Sequence, residues 1–351
     1  MIIYINGKFL SQRLTGVQRY ALEITKRLIQ ARKDVKILVP PAIDLKKVEL
    51  PHERILQFGS FKNAILWEQI ELPRYLKKEQ NHVLVSLCNI GTLFSKRQII
   101  CVHDMSFAVN PTWFTRSFSM YYNFMVPRLV NRAYKVITVS EFSKREIQQR
   151  LRKPNLDISV IYNAPSERFM IDGLQSRETL QDDFFLFVGS QDPRKNLQLL
   201  LKLFADEEFQ KERLIVVGGK TKSFNKVELQ QLPNVEFKEK CDDTELSLLY
   251  RNAKALINPS LYEGFGLPLV EAMASGCLLI LSDIEVFKEI AGGGALYFRS
   301  NSLDAARESI RSFLKLDKEK KADMRLQNLK RSRDFTWNNS TDKLLQVIDH
   351  L

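Results

Sequence analysis

The 351-residue chain has few of the residues that mark disulfide-rich, fibrous or metal-binding proteins: 4 cysteines, 4 histidines, 14 glycines and 12 prolines. The cysteines form no CxxC pair and lie on or beside strand-like runs, so we expect reduced thiols rather than a disulfide framework. The histidines form no HxxH or HExxH pattern, and no metal site is predicted. Glycine and proline are dispersed without a period, which excludes fibrous and low-complexity classes.

Long hydrophobic runs are also missing. No apolar stretch approaches the roughly 20 residues that cross a bilayer, and the start, MIIYINGKFL, lacks the basic beginning and long apolar core of a signal peptide. With 44% hydrophobic and 27% charged residues, the composition is typical of a folded, cytoplasmic protein. The length favours two domains.

Acidic residues are scarce in the first half only. Residues 1–165 contain 26 Lys and Arg against 12 Asp and Glu, a net charge of +14. Residues 166–351 contain 27 Lys and Arg against 29 Asp and Glu, a net charge of −2, and the two halves sum to the net charge of +12. Nucleic acid, anionic lipid headgroups or a phosphorylated acceptor could each use this basic half, which could also be merely a solvated surface. Because no helix-turn-helix, RNP-like or finger pattern is present, nucleic acid is not an expected partner.

Strand-like and helix-like patterns alternate along the whole chain, which predicts parallel sheets covered by helices on both faces. In the first half we expect strands at Ile2–Ile5, Val35–Val39, Val83–Leu87, Ile99–Val102, Val136–Val139 and Ile158–Ile161, and helices at Gly16–Ala31, Ser117–Ala133 and Glu141–Leu151. After a polar linker, Tyr162–Asp183, we expect strands at Phe184–Val188, Arg213–Val217, Val235–Phe237, Ala255–Ile257 and Leu278–Leu281, and helices near Leu197–Ala205 and at Trp337–Leu351. The fold class is therefore α/β, with two doubly wound domains, 1–165 and 166–335, that face a cleft.

The segment NPSLYEGFGLPLVE (Asn258–Glu271) follows a predicted buried strand and opens a helix. Gly264 and Gly266 let the backbone approach a ligand, and Pro268 suits a first helical turn. Amides at a helix N-terminus bind phosphate or hydroxyl groups, and the flanking carboxylates of Glu263 and Glu271 suit hydrogen bonds from sugar hydroxyls. A capped helix without a ligand is the alternative.

Three other places could carry chemistry. Arg194 and Lys195 lie in GSQDPRKN (Gly189–Asn196) after a strand, where adjacent cations suit a diphosphate, although a solvated turn fits equally well. Gly16 opens a helix after the first strand, but the surrounding sequence is not GxGxxG, so the dinucleotide fingerprint is absent. His103 follows a central strand, where ligands bind in open α/β folds, but a histidine there is often structural.

These motifs occur in the order TGVQRY, HD, TVSEFSK, FVGSQDPRKNL, NPSLYEGFGLPLVEAMASG and FTW. In this order they resemble the retaining glycosyltransferases of family 4, which have the GT-B fold. The resemblance runs from about residue 2 to residue 350, and the segment EGFGLPLVEAMASG is its most specific part. It implies a C-terminal helix, 336–351, that packs back toward the first domain.

The resemblance also implies residue roles. Glu271 would hold the ribose of a donor nucleotide, Glu263 would lie near the transferred sugar, and Arg194 and Lys195 would neutralise the diphosphate. The amides of Gly264, Phe265, Gly266 and Leu267 would bind sugar and phosphate oxygens. The Gly16 amide would approach the diphosphate from the other domain. His103 would contact the transferred sugar or support its oxocarbenium-like transition state. The family often has Arg where this chain has Ser190, so either Arg194 alone supplies that charge or the geometry of this cluster differs.

The implied reaction is transfer of a hexose or deoxyhexose (mannose, glucose, N-acetylhexosamine or rhamnose) from a nucleoside-diphosphate sugar, with retention and without a cofactor or metal. The acceptor would be a glycan or a polyprenyl-diphosphate-linked sugar in bacterial O-antigen, capsule or lipopolysaccharide synthesis. We expect peripheral contact of basic residues around Phe114–Arg152 with the cytoplasmic face of the inner membrane. The base pocket is expected near Gly218-Gly219 and Lys238–Cys241. A nucleotide-sugar epimerase, a glycosyl phosphorylase and an inactive nucleotide-sugar-binding protein remain alternatives.

Overall fold

A computed structural model describes residues 1–171, 184–219, 224 and 229–351. The chain divides into two compact units. The first unit comprises residues 1–108, 119–163 and 337–351, and the second comprises residues 109–118 and 164–336. The domain boundaries expected at 165 and 335 stay predictions; the units differ from them in that the short segment 109–118 groups with the second unit.

A seven-stranded parallel sheet forms the centre of the first unit. Its strands are β1 (Ile2–Asn6), β2 (Val35–Val39), β3 (Ile55–Gln57), β4 (His82–Ser86), β5 (Gln98–Cys101), β6 (Lys135–Thr138) and β7 (Ile158–Val160). They lie in the order β3-β2-β1-β4-β5-β6-β7, with Ile3 of β1 opposite Val35 and Val83. The order reverses between β1 and β4, and ligands bind at the carboxyl ends of strands at such a point.

The first half of the chain also contains the helices that accompany this sheet. They are α1 (Gly16–Ala31), α2 (Ala64–Leu66), α3 (Leu72–Leu76), α4 (Ser106–Val109), α5 (Arg116–Arg132) and α6 (Glu141–Arg150), with a π-helical turn at Trp67–Glu71 between α2 and α3. The central strands β4 and β5 are buried along their whole length, as expected of parallel strands covered on both faces.

The second unit contains a six-stranded parallel sheet. Its strands are β8 (Phe184–Val188), β9 (Arg213–Val217), β10 (Val235–Lys238), β11 (Leu256–Asn258), β12 (Leu279–Ser282) and β13 (Ala295–Phe298). The helices are α7 (Leu197–Phe204), α8 (Asp243–Asn252), α9 (Leu267–Ala274), α10 (Glu285–Ala291), α11 (Leu303–Leu314) and α12 (Lys318–Ser332). The sheet order is β10-β9-β8-β11-β12-β13, so its reversal falls between β8 and β11. The two sheets confirm the predicted pair of doubly wound, Rossmann-like units.

The last helix, α13 (Trp337–Asp349), belongs to the first unit. The Trp337 ring lies 6.0 Å from the ring of Tyr20 on α1, and Arg32 at the end of α1 pairs with Asp349 at 2.5 Å. Ser340 donates a hydrogen bond of 2.7 Å to the Tyr162 carbonyl. These contacts confirm that the C-terminal helix returns to the first part of the fold.

The structure differs from the sequence predictions in three respects. Strands β3 and β13 were not predicted, and several predicted strands are displaced by one residue, as with β4 at His82–Ser86. The predicted linker is not wholly a linker: Phe169 is fully buried and its ring lies 5.8 Å from that of Tyr250 in the second unit. The rest of that linker, residues 172–183, lies outside the described residues.

Candidate active site

Two loops of the second unit meet where the sheet order reverses. The loop after β8 contains Gly189–Asn196, and the loop after β11 contains Asn258–Gly266. Because β8 and β11 are parallel neighbours, their carboxyl ends lie side by side. The structure therefore brings together Arg194, Lys195 and Glu263, which the sequence places 68 or 69 residues apart.

Asp192 organises the loop after β8. Its carboxylate accepts the Arg194 N–H at 3.1 Å and caps a short 3-10 turn, Pro193–Lys195. Ser190 donates its hydroxyl to the other Asp192 oxygen at 2.5 Å. The Ser190 side chain thus holds Asp192 in place, and the positive charge of the loop comes from Arg194 and Lys195.

Glu263 is the centre of a buried ion cluster and is only 6% exposed. One carboxylate oxygen accepts a hydrogen bond of 2.7 Å from the Arg194 guanidinium, and the other accepts one from the Lys195 ammonium. The same Arg194 nitrogen donates to the Tyr262 carbonyl at 3.1 Å. The sequence predicted that both cations would bind a diphosphate, whereas in the structure both are paired with Glu263.

Ser260 and Asn258 shape the loop that carries Glu263. Asn258 accepts the Ser260 N–H at 3.1 Å, so the chain turns directly after β11. The Ser260 hydroxyl lies 2.7 Å from the Asn258 side-chain oxygen and 2.9 Å from Glu263, and it donates to one of them at a time. The Asn258 amide nitrogen is buried and has no partner among the described residues, which leaves one donor at this edge unsatisfied.

The charges around Glu263 decide its ionisation. Burial raises the pKa of this carboxyl group, but the positive charges of Arg194 and Lys195 outweigh burial and lower the pKa to about 2. Hydrogen bonds from Lys195 and Ser260 act in the same direction. Glu263 is therefore a carboxylate at every physiological pH.

The start of α9 has the geometry expected from the sequence. Gly266 precedes the helix with φ of +95°, a left-handed conformation that side chains rarely adopt, and Pro268 lies in the first turn. The Gly264, Phe265, Gly266 and Leu267 amides thus lie at a helix N-terminus. Phe265 itself is buried, with its ring 5.7 Å from that of Phe335.

Glu271 lies further along α9 and is also buried, at 5% exposure. The Tyr250 hydroxyl of α8 donates to its carboxylate at 3.2 Å. Tyr250 is fully buried, and burial together with the Glu271 charge raises the pKa of its hydroxyl. Tyr250 therefore remains a donor that holds the Glu271 side chain.

The predicted base pocket lies where β9 and β10 end. Gly218 has φ of +128°, and a Cβ atom there would lie 2.1 Å from the Gly189 carbonyl oxygen. The Gln191 side chain donates to the Gly218 carbonyl at 3.0 Å, and the Gly218 N–H donates to the Lys238 carbonyl at 2.9 Å. The loops after β8, β9 and β10 are thereby joined.

Aromatic residues that the sequence analysis did not single out lie beside the ion cluster. The Trp113 ring lies 6.3 Å from that of Tyr262, the residue before Glu263. Phe114 pairs with Phe224 in an isolated antiparallel β-bridge, and their ring centroids lie 4.6 Å apart. The Arg194 guanidinium lies 5.8 Å from the centroid of the Phe224 ring. Residues 109–118 of the second unit thus lie beside the cluster.

In the first unit, Gly16 is the first residue of α1 and is exposed. One turn later, Tyr20 is buried, and its ring meets that of His103 edge-on at 5.0 Å. The Cys88 thiol, in the loop after β4, donates to the Val17 carbonyl at 3.7 Å. The start of α1 and the loops after β4 and β5 are therefore neighbours, as the predicted roles of Gly16 and His103 require.

His103 follows β5 and is held from several sides. Its ring Nε2 lies 2.8 Å from the Leu87 carbonyl, its main-chain N–H donates to Asn89 at 2.6 Å, and its carbonyl accepts the Ser143 hydroxyl at 2.9 Å. Burial lowers the pKa of the ring and outweighs the opposing effect of the Leu87 carbonyl. The ring is therefore neutral at pH 7.

The structure brings several of the predicted site residues together. Arg194, Lys195 and Glu263 contact one another, and Glu271 lies on the same loop-helix segment as Glu263. Asp192, Ser260, Tyr250 and Asn89 were not singled out from the sequence; an Asp two residues before Arg194 and an Asn-Pro-Ser turn were the available signals for two of them. None of the four cysteines forms a disulfide.

None of the helices within 1–171, 184–219 and 229–351 combines the length and the apolar character that a membrane crossing requires. Over the same residues, no group of three or more His, Cys, Asp or Glu side chains is placed to hold a metal ion.

Comparison with known proteins matches both halves of the chain. Residues 14–165 match the model described as glycosyltransferase family 4, and residues 174–331 match that described as glycosyl transferases group 1. The chain is 33% identical over 253 residues to the O-antigen chain mannosyltransferase RfbU of Salmonella typhimurium, which covers 69% of this chain and 68% of the relative. It is 25% identical to O-antigen chain mannosyltransferase B of Escherichia coli, over 95% and 96% of the two chains.

Among solved structures, WaaG, a glycosyltransferase involved in lipopolysaccharide biosynthesis, superposes with a TM-score of 0.72 at 15% identity over 99% of both chains. At this identity the likeness concerns the fold, and it agrees with the two parallel sheets. The motifs, the two doubly wound units and the identity to RfbU lead to the same conclusion: this chain belongs to the group 1 glycosyl transferases and is a glycosyltransferase with the GT-B fold.

Proposed function

We propose that the protein transfers a hexose, with mannose as the first candidate, from a nucleoside-diphosphate sugar to a hydroxyl of a growing O-antigen-type glycan, with retention of configuration. The observation that carries this proposal is the buried cluster of Arg194, Lys195 and Glu263 at the switch point of the second sheet. Mannose is placed first because the relatives RfbU and mannosyltransferase B are O-antigen mannosyltransferases.

The positions of the two cations support binding of a diphosphate. Arg194 and Lys195 are held in place by two buried carboxylates, Glu263 and Asp192, of which Asp192 lies 3.7 Å from Arg194. The proposal therefore rests on the fixed positions of the cations and not on a net positive charge of the cluster. Preorganised cations stabilise the charge that develops on the leaving group, and this term is a large part of catalysis in such sites.

Glu263 and Glu271 suit hydroxyl groups rather than phosphates. Both are buried carboxylates on the loop-helix segment after β11, and carboxylates accept hydrogen bonds from sugar hydroxyls. We assign Glu263, which contacts both cations, to the transferred sugar, and Glu271, fixed by Tyr250, to the ribose. The amides at the start of α9 lie between them along the chain and are assigned to sugar and phosphate oxygens.

Retention follows in this proposal from attack on the face that the diphosphate leaves, with the leaving phosphate accepting the proton of the acceptor. Glu263 is a poor nucleophile, because two positive charges stabilise its carboxylate and lower its pKa to about 2. We therefore expect no covalent glycosyl-enzyme on Glu263. Mass spectrometry after rapid quenching tests this, and a stable adduct on Glu263 would contradict the proposal.

The donor is tested by thermal shift against nucleoside diphosphates and their sugars, since a ligand well above its Kd raises Tm. We expect the largest shift with a nucleoside-diphosphate mannose. Turnover is then measured with a polyprenyl-diphosphate-linked glycan, in buffer with and without EDTA. Because Arg194 and Lys195 supply the positive charge, activity should persist in EDTA. Release of free mannose without transfer to any glycan would contradict the proposed function.

For the acceptor, we propose that the first unit contacts an anionic membrane surface. On α5, Met120 and Phe124 are 63% and 51% exposed, and the Arg128 guanidinium lies 3.7 Å above the Phe124 ring. Phe94, 70% exposed, borders a groove of about 340 Å³ together with Arg128 and Arg132. Exposed aromatic rings beside arginines fit a headgroup layer, where apolar and cationic groups both find partners.

Vesicle sedimentation tests this contact. We expect binding to vesicles with anionic lipid that falls with salt and with the double substitution R128E/R132E. The double substitution K46E/K47E, at exposed lysines elsewhere in the first unit, makes the same change in charge and should leave binding largely intact. Equal, salt-independent binding to neutral vesicles would count against the proposal.

A further inference from the structure

A groove of about 630 Å³ lies at the amino ends of β4 and β5 in the first unit. One wall consists of α3 and the residues that follow it, and the other consists of residues 94–97, which lead into β5. His82 lines the groove, and β4 ends four residues later at Ser86. At about 3.3 Å per residue, the groove is separated along the strand by roughly 13 Å from the carboxyl edge of this sheet. It is therefore distinct from the predicted site residues at that edge.

Four cations border this groove, and none of them is neutralised by an ion pair. They are exposed and come from both walls: Arg74, Lys77, Lys96 and Arg97. None of the four pairs with an acidic side chain within the described part of the chain. Glu79 is the one acid among the described residues that line the groove, so four positive charges stand against one negative charge. The groove therefore has an excess of positive charge that is open to solvent and suits an anion.

Arg97 is held across the groove. Its guanidinium donates a hydrogen bond of 2.7 Å to the carbonyl of Gln80, which belongs to the opposite wall. A guanidinium group has five N–H donors in a planar arrangement, so this bond fixes the group and leaves other donors for a ligand. Phosphate oxygens are the partners that such a fork binds in pairs. The anion that this groove suits best is therefore a phosphate.

The groove also has an apolar part. Ile70, Pro73 and Leu76 line the wall of α3, and Phe94, which is 70% exposed, lines the other wall. Phe94 in addition borders the smaller groove that Arg128 and Arg132 line. A free inorganic anion gains nothing from apolar walls, whereas a phosphate attached to a hydrocarbon chain buries part of that chain against them. The combination of cations and apolar side chains therefore favours an amphiphilic ligand.

We propose that this groove binds the phosphate group of a single membrane lipid, with the cations on the phosphate and the start of the hydrocarbon chain against Ile70 and Phe94. Its volume lies within the range of about 300–1,000 Å³ that is usual for small-molecule sites. The inference deepens the proposed membrane contact and rests on it for the source of the lipid. The contact through Arg128 and Arg132 concerns a surface, whereas this groove takes one molecule.

Isothermal titration calorimetry of the full chain tests the ligand. Short-chain dihexanoyl phosphatidic acid is titrated as a monomer, and dihexanoyl phosphatidylcholine and inorganic phosphate are titrated for comparison. We expect the phosphatidic acid to bind at least tenfold more tightly than either of them, with an affinity that falls as salt is added. Inorganic phosphate or phosphatidylcholine bound as tightly as the phosphatidic acid would overturn the proposal, as would the absence of binding.

The double substitution K77E/K96E tests the place of binding. It reverses one cation on each wall, and we expect the Kd for the phosphatidic acid to rise roughly tenfold or more. Both lysines are exposed, so the protein should fold, and Tm is measured in parallel. K46E/K47E makes the same change in charge at exposed lysines outside the groove and should leave the Kd within twofold of wild type. An unchanged Kd in K77E/K96E would contradict the assignment.

The double substitution R128E/R132E separates this site from the contact with a membrane surface. Binding to anionic vesicles should fall, while binding of monomeric phosphatidic acid should persist; loss of the latter would place the phosphate in the neighbouring groove and contradict the inference. If the phosphatidic acid binds as expected but no sugar is transferred to any acceptor, the proposed function fails while the lipid site stands. Sugar transfer by a protein that binds no phosphatidic acid would overturn the site and leave the proposed function.

Discussion

Glu263 carries a negative charge in a place where burial alone would favour a neutral carboxyl group. Arg194 and Lys195 reverse that preference, and each of the three groups depends on the other two. Breaking a buried pair by removal of one partner leaves an uncompensated charge and costs several kcal/mol. Lys195 is therefore expected to matter for both stability and activity, and the two effects need separate measurements.

Lys195→Ala is the first prediction at the residue scale. We expect kcat to fall by about 10²-fold or more, the scale seen when one charge-stabilising group is removed from an active site, together with weaker binding of nucleoside diphosphates. Lys202→Ala is the control, since Lys202 is an exposed cation on α7 and should change neither quantity. Wild-type kcat in a folded Lys195→Ala protein, with Tm measured in parallel, would rule out the diphosphate role.

The second prediction concerns pH. The pKa of Glu263 is about 2 in the folded chain, below its ordinary value of 4.5, so its contribution to stability is present above pH 4.5 and is lost as the pH falls toward 2. Between pH 7 and pH 3 this loss is on the order of 2 kcal/mol. Glu263→Gln cannot ionise, and its Tm should fall less than that of wild type over this range; parallel Tm curves would contradict the assignment.

At the scale of the element, hydrogen bonds join the loops after β8, β9 and β10 into one unit at the predicted nucleotide site. Gly218 is central to it because its backbone lies against the Gly189 carbonyl, leaving no room for a side chain. The loop that carries Asp192, Arg194 and Lys195 begins at that carbonyl. A substitution at Gly218 should therefore displace Arg194 and Lys195 although it contacts neither side chain.

Gly218→Ala tests this. A Cβ atom would lie 2.1 Å from the Gly189 oxygen and would occupy a φ of +128°, so the loops must separate. We expect the affinity for nucleoside diphosphates to fall at least tenfold and Tm to fall by several degrees, as for other side chains forced into a strained backbone. Gly219→Ala is the control, because its Cβ would find no atom closer than 3.8 Å; equal effects of both changes would refute the steric argument.

Elements were predictable from the sequence where periodicity and end signals agree. The strands expected at Phe184–Val188 and Arg213–Val217 occur with those bounds, and the helix expected from the Thr15-Gly16 turn to about Ala31 is α1 (Gly16–Ala31). Strand β3 was missed because its three residues lie at the edge of the sheet, where only Ile55 is buried. Three residues are too few to show a period of two.

At the scale of the whole molecule, the last helix of the chain stabilises its first helix. Trp337 is 3% exposed and packs on Tyr20, the residue whose ring also meets His103. Helix α13 thus completes the core of the first unit. Its loss should weaken the unit that carries Gly16 and His103.

Trp337→Ala is the prediction at this scale. Removal of a large buried aromatic side chain costs about 3–5 kcal/mol, so we expect a clear fall in Tm and faster proteolysis within residues 1–163. Asp342→Ala, an exposed position on the same helix, should leave both unchanged. A Trp337→Ala protein as stable as wild type would show that the helix is dispensable for the first unit.

The sequence by itself determined the α/β class, the two doubly wound units and the family, because these depend on periodicity and on short motifs that are local in the chain. It also identified Arg194, Lys195, Glu263 and Glu271 as candidates from their residue types and from their places after strands. The pairing of Glu263 with both cations was not predictable, since 68 or 69 residues separate the partners. Only the adjacency of β8 and β11 brings them together.

The same reason explains what was missed in the first unit. Asn89 lies 14 residues from His103 in a segment without a recognisable motif, and the hydrogen bond that it accepts from the His103 N–H joins two loops through a residue with a left-handed backbone. A residue type and a spacing show which groups are available for chemistry. Strand order and the packing of the loops decide which of these groups come into contact, which are paired with an opposite charge and which face a ligand.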